Sequence, residues 1–358
     1  MLLVTIAFAA ALSGLGLWVL RRWLRSRPRG VDHWDHPPQP SAAGSRVIEK
    51  IAAPTAPGGV DIGKIAAANA LATERLWRLA FAAPAHADEL APADIAVKDQ
   101  VSAVLSADRL DAKFFPRRPT LMPQLMRATQ DPHAATERLS RIVAHDPVLT
   151  ADVLRLANSS RFRTSAQPIE TIQRAIVVMG VDALRGLLAM AMMQPVFRAS
   201  RSNFPRFPRM LWERTERAAR AAEAYAMQAG PEDRFEAQLA ILLSALGPLV
   251  VYGATLDAYA QSPGSIPNPA LCVKITGALG AKMALRIAHH WDTSPRLAAA
   301  IEQSARGPLG QALCVGELLG TLSLLQSQHV IDAEEALAIV NGADLSGELL
   351  EYVSPRAA

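Results

Sequence analysis

Apolar residues recur at helical spacing along almost the whole chain from Val60 onward. Ile65, Leu71, Leu76, Leu79 and Ala80 fit one helix, and Val97, Val101, Val104 and Leu105 fit a second. Between Phe115 and Phe197 the spacing predicts five short helices. Leu121, Leu125 and Met126 belong to the first, and Leu139, Ile142 and Val143 to the second, which follows Asp131-Pro132. Asp146-Pro147 opens the third, because an Asp carboxylate accepts from free amides while Pro at the first helical position forfeits no hydrogen bond. That helix places Leu149, Val153, Leu156 and Ala157 on one face and ends near Asn158-Ser159. Ile169, Ile172, Ile176 and Met179 then run to Gly180, which closes the fourth, and Asp182 is placed to cap the fifth, with Leu184, Leu187 and Leu188 inward. Alternating β-branched and aromatic runs are absent, and no period of about 20–50 residues repeats. The body is expected to be all-α.

Before Val60 the pattern changes twice. Leu2 to Leu20 is a run of nineteen residues without a charge, close to the ~20 apolar residues that a bilayer core requires. Arginines follow it rather than precede it, so it reads as a retained single-pass anchor with the body on the cytoplasmic side. Trp18 and Trp23 sit at its edge as interfacial anchors. Residues 25–59 are rich in Pro, Gly, Ala and Ser and read as a tether, in which His33 and His36 form a solvated turn rather than a metal site. The expected organisation is a transmembrane anchor over 1–24, the tether over 25–59, a helical extension over 60–112, a helical domain over 113–325 and C-terminal helices over 326–358.

Composition sharpens this in two ways. At 358 residues, 50% hydrophobic and 20% charged, the chain is too apolar to be disordered, and two cysteines, Cys272 and Cys314, cannot make a disulfide framework or a four-thiolate zinc site. The net charge of +4 belongs to the anchor. Arg21, Arg22, Arg25, Arg27 and Arg29 fall in the first 30 residues with no acid, which leaves 32 basic against 33 acidic side chains in the rest. By net charge the body is no nucleic-acid binder.

The run DPVLTADVLRLANSSRF (Asp146 to Phe162) followed by PIETIQRAIVVMG (Pro168 to Gly180) resembles the HDOD domain, the HD-related output domain of bacterial signalling proteins. The residues that carry the resemblance are Asp146, Pro147, Leu154, Arg155, Leu156, Ala157, Asn158, Ser159, Ile172, Ala175, Ile176 and Gly180. It implies an HD-domain-like multi-helix bundle in a family usually treated as regulatory. For Asn158 and Ser159 the residues themselves point to closing a helix end.

An HD hydrolase needs imidazole and carboxylate groups around a divalent metal. Where relatives have a histidine after Leu-Trp-x this chain has Arg214, and where they have a His-Asp pair it has Ser244-Ala245. Thr276 stands where a later histidine occurs in relatives. His289 and His290 are adjacent on a helix and point ~100° apart, so they do not enter one site together. No phosphate loop, dinucleotide fingerprint, HExxH or nucleophile elbow is present. The expectation is therefore no catalysis and no cofactor, with a divergent HD-type phosphohydrolase or cyclic-nucleotide phosphodiesterase as the alternative.

For partners, the segment from Phe197 to Arg220 interleaves arginines with aromatics. It reads as a docked connector, with Arg206, Arg209 and Trp212 as its candidate contacts to a ligand or partner. The expected partner is another signalling protein, with the membrane held through the N-terminal helix, homodimerisation through apolar C-terminal surface, and neither nucleotide nor nucleic acid as a ligand. Leu313, Val315, Leu318, Leu319 and Leu322 are expected to complete the core.

Overall fold

The computed structural model describes residues 61–84, 90–120, 122–127, 132–144, 146–159, 162, 167–198, 203–229, 234–262, 264–302, 307–345 and 347–353. The expected anchor and tether lie outside the described residues. Helices α1 (Ile62–Phe81) and α2 (Pro92–Ser106) are followed by α3 (Met122–Arg127), α4 (Pro132–Ala144), α5 (Pro147–Ala157), α6 (Ile172–Met179) and α7 (Val181–Arg198). The second half holds α8 (Arg206–Ala229), α9 (Arg234–Ala260), α10 (Pro269–His290), α11 (Pro295–Glu302), α12 (Gly307–Ser327) and α13 (Ala333–Gly342). No strand occurs among the described residues.

The five short helices expected between Phe115 and Phe197 are α3 to α7, and their local signals act as read. Asp146 Oδ1 accepts from the Leu149 amide at 3.2 Å at the start of α5. Gly180 has φ +82°, a conformation that a side chain disfavours, and α6 and α7 meet there at 111°. One detail differs. Helix α7 already begins at Val181, so Asp182 lies in its first turn instead of capping it, and pairs with the buried Arg185 at 3.1 Å. Arg185 also donates to the Leu125 carbonyl at 2.8 Å and lies 3.8 Å from the Phe235 ring centroid.

The described residues of the expected extension, 61–84 and 90–112, pack on the bundle. In α1 the buried stripe is Ile65, Ala72, Leu76 and Ala80, at spacings of seven, four and four, which leaves Leu71 one step round the helix and 67% exposed. Trp77 and Phe81 continue this face into an aromatic cluster, where Phe81 stacks on Phe207 at 4.3 Å and Phe207 lies 4.7 Å from Tyr252. Helix α2 buries Val97, Val101 and Leu105 at spacings of four, and Val104 turns outward.

Asp94 of α2 fastens the extension to the bundle. Its carboxylate accepts from Tyr259 Oη at 2.5 Å, Asn268 Nδ2 at 2.8 Å and the Ala91 amide at 3.0 Å. Burial opposes its ionisation, but these three donors outweigh that cost and hold the carboxyl below the usual range. Nearby, burial and the Asp94 charge push the Cys272 thiol up to about 12.

The core of the second half is built from α8, α9, α10 and α12. By length and composition α9 and α12 could each cross a membrane, yet 72% and 78% of their apolar windows are buried within the bundle. Leu313, Val315, Leu318, Leu319 and Leu322 all lie in the core. Helices α8 and α12 come unusually close. A Cβ at Gly316 would meet the Ala222 Cβ at 2.6 Å, and one at Gly320 would meet the Ala218 amide nitrogen at 2.5 Å. Only small residues permit that approach, and it brings position 214 against positions 317 and 321.

Candidate functional site

Arg214 lies one turn before Ala218, so the α8–α12 contact carries its guanidinium into the bundle. Its Nε donates to Thr321 Oγ1 at 2.9 Å, and a terminal nitrogen stands 3.6 Å from Glu317 Oε1. Glu317 itself sits on α12 with its side chain 16% exposed. From α9, Ser244 Oγ donates to the same Oε1 at 2.6 Å. From α1, Asn69 Nδ2 donates to Oε2 at 3.1 Å, and Thr73 Oγ1 donates to Asn69 Oδ1 at 3.3 Å. Thr321 Oγ1 in turn donates to the Glu317 carbonyl at 2.6 Å. Four helices thus meet on one carboxylate. Charge is balanced by the guanidinium, and both carboxylate oxygens accept hydrogen bonds, the conditions under which a buried ion pair is tolerated.

Two of the four positions named for lost metal ligands, Arg214 and Ser244, come together here. The other two do not join them. Ala245 is fully buried and offers a methyl group, and Thr276 is buried with a hydroxyl that has no hydrogen-bond partner among the described residues. Asn69, Thr73, Glu317 and Thr321 were missed by sequence reasoning. Among the described residues, no three His, Cys, Asp or Glu side chains gather as a metal-binding group.

The residues present do not fit a divalent cation at this place. One carboxylate is available, Ser244 and Asn69 both direct hydrogens at it, and a cation bound there would face the Arg214 charge. His289 and His290 are exposed at the end of α10, where the His290 ring stacks on Phe115 at 3.8 Å. Next to them Trp291 Nε1 donates to the Pro116 carbonyl at 3.0 Å, and Arg118 donates to the Trp291 carbonyl. This corner holds the entry loop against α10.

The residues of the Asp146 to Gly180 segment do structural work. Asn158 pairs with the backbone of Ile169 in both directions, donating to its carbonyl at 2.8 Å and accepting from its amide at 2.7 Å, and donates to the Leu154 carbonyl at 2.9 Å. Ser159 Oγ donates to the Leu156 carbonyl at 2.7 Å. Ala157, Ala175 and Ile176 are buried, Leu154, Leu156 and Ile172 pack against the core, and the exposed Arg155 pairs with Asp152 at 2.8 Å.

The expected connector from Phe197 to Arg220 is helical from Arg206. Pro208 does not prevent this, because it lies in the first turn where its missing N–H breaks no helical bond. The three candidate contacts there separate. Trp212 is buried 5.1 Å from Phe197, Arg209 lies 3.7 Å from Glu213, and Arg206 is exposed beside α1.

The HDOD domain profile matches residues 115–306. Asn69, Thr73, Glu317 and Thr321 lie outside that span, so the cluster is completed by segments on either side of it. No curated protein matches the chain. A crystal structure from Shewanella amazonensis SB2B, of a protein provisionally named a metal-dependent phosphohydrolase, aligns with TM-score 0.50 at 15% identity, over 74% of this chain and 97% of that one. An HDOD domain protein with unknown function from Geobacter sulfurreducens aligns with TM-score 0.47 at 18% identity, over 73% and 91%. A second Shewanella amazonensis SB2B protein, provisionally named a phosphohydrolase, aligns with TM-score 0.45 at 21% identity, over 73% and 92%.

Proposed function

We propose that this chain, which belongs to the HDOD domain family, is a non-catalytic regulatory module that holds a signalling partner at the cytoplasmic face of the inner membrane. The observation that carries this reading is the cluster around Glu317, where Arg214 supplies an internal cation to the carboxylate. A guanidinium is permanently charged and cannot lower the pKa of a bound water as a metal does. Ser244 spends its hydrogen on the Glu317 carboxylate, and that carboxylate is already engaged by Arg214 and Asn69, so it serves as the acceptor of the cluster rather than as a free base for a nucleophile.

In this reading the helical body is a scaffold that presents a surface, while the apolar Leu2 to Leu20 run with its following arginines supplies the tether. The apolar surface of α9 and α12 is largely spent on the core, which agrees with a tether supplied from elsewhere in the chain. The test is a comparison of the purified full chain before and after exhaustive chelation. Unchanged phosphodiesterase background and unchanged recruitment of its partner from solubilised membranes support the module. Activity that chelation removes and manganese, iron or zinc restores would establish the phosphohydrolase instead.

A further inference from the structure

Arg206 is an exposed cation that forms no hydrogen bond or ion pair with any described residue. It opens onto a cleft of about 570 Å³ between α1, the start of α8 and the segment joining α12 to α13. Arg75 and Arg78 reach the same cleft, three positions apart on α1 and therefore on one side of it. Both are held in place. Arg75 pairs with Glu335, while Arg78 contacts Glu74 Oε1 through Nε at 3.0 Å and a terminal nitrogen at 2.8 Å, and donates to the Pro84 carbonyl at 3.2 Å. Glu335 and Glu74 offset two of the three guanidinium groups at this place, and Arg206 is the cation in excess.

We infer that this cleft binds a small phosphorylated molecule of nucleotide size, with Arg206, Arg75 and Arg78 on its phosphates. Guanidinium forks match phosphate oxygens in pairs, and groups already oriented by neighbours lose less freedom on binding. The space is open to solvent over most of its boundary and is larger than one phosphate fills. Leu79, Ala82, Ala83 and Val330 supply an apolar wall for the part of the ligand that carries no charge. This reverses the expectation of no nucleotide ligand, because the sequence groups Arg206 with Arg209 and Trp212, whereas the fold groups it with two arginines of α1. The inference is independent of the Glu317 cluster and stands whether or not the chain is catalytic.

Calorimetric titration of the purified full chain with ATP, pyrophosphate and adenosine tests it. ATP and pyrophosphate are expected to bind and adenosine not, with affinity falling as salt is raised. Tighter binding of ATP than of pyrophosphate assigns the ligand to a nucleotide, and equal binding assigns it to a smaller phosphate. Arg206→Ala removes a side chain that holds nothing in place, and is expected to lower affinity by about tenfold with an unchanged circular dichroism spectrum. Arg206→Lys should recover part of that loss. Failure of the unaltered chain to bind both ATP and pyrophosphate, or equal binding by Arg206→Ala, would overturn the inference.

Discussion

Arg214 and Glu317 face each other at 3.6 Å between helices α8 and α12, their side chains 5% and 16% exposed. Removing one partner of such a pair leaves a buried charge without compensation, whereas removing both does not. Arg214→Ala is therefore expected to lower stability by about 3–5 kcal/mol. The double variant Arg214→Met with Glu317→Leu should lose far less. Denaturant titration of Arg214→Met, of Glu317→Leu and of the double variant gives the coupling, and additive losses would show that the pair does not interact.

At Gly320 the backbones of α8 and α12 approach each other closely. A Cβ there falls 2.5 Å from the Ala218 amide nitrogen, with backbone rather than a flexible side chain in the way. Gly320→Ala should cost about 1–3 kcal/mol by overpacking, although alanine is the better helix former. An increase in stability on thermal unfolding would contradict the described contact.

Asn158 substitutes for a missing length of backbone ladder, meeting both the amide and the carbonyl of Ile169. Asn158→Ala leaves those groups unpaired and should cost about 1–3 kcal/mol. Asn158→Asp, which keeps the acceptor and loses the donor, should fall between the two in chemical denaturation.

Asp94 makes stability depend on acidity in a defined direction. Its carboxyl is held below the usual range when folded, and unfolded it returns to about 3.9. Between those values the unfolded chain binds more protons, so the stabilisation is complete at neutral pH and drains away as pH falls below about 4. Asp94→Asn should be less stable at pH 7 and lose less of its remaining stability on acidification. Parallel acid profiles for the two proteins would remove Asp94 as the cause.

Much of this fold is legible along the chain because its signals are local. Asp146-Pro147 and Gly180 each act on their own turn of helix, and each marks a boundary that the fold uses. The start of α8 was less legible. The arginines interleaved with aromatics from Phe197 to Arg220 read as a connector, yet Pro208 in the first turn is compatible with a helix, and Phe207 and Trp212 are core. The candidate site was half legible. Arg214 and Ser244 stand out by what relatives carry, but the group that joins them, Glu317, is more than seventy positions away from either. A signal for it exists. Glu317 is the only charged residue in the run from Gly307 to Ser327, flanked by Gly316 and Gly320, and a lone carboxylate in an apolar helix needs a partner. Asp94 carries no such mark, since α2 also bears Lys98 and Asp99 on its solvent side.

The central claim is that Arg214 fills the charge requirement that a metal meets in an HD hydrolase, and metal content tests it most directly. The full chain would be incubated with excess manganese, iron or zinc, desalted and analysed by elemental spectrometry. The account predicts metal far below one ion per chain, unaffected by Glu317→Gln. Stoichiometric metal that disappears in the Glu317→Gln or Ser244→Ala variant would contradict it.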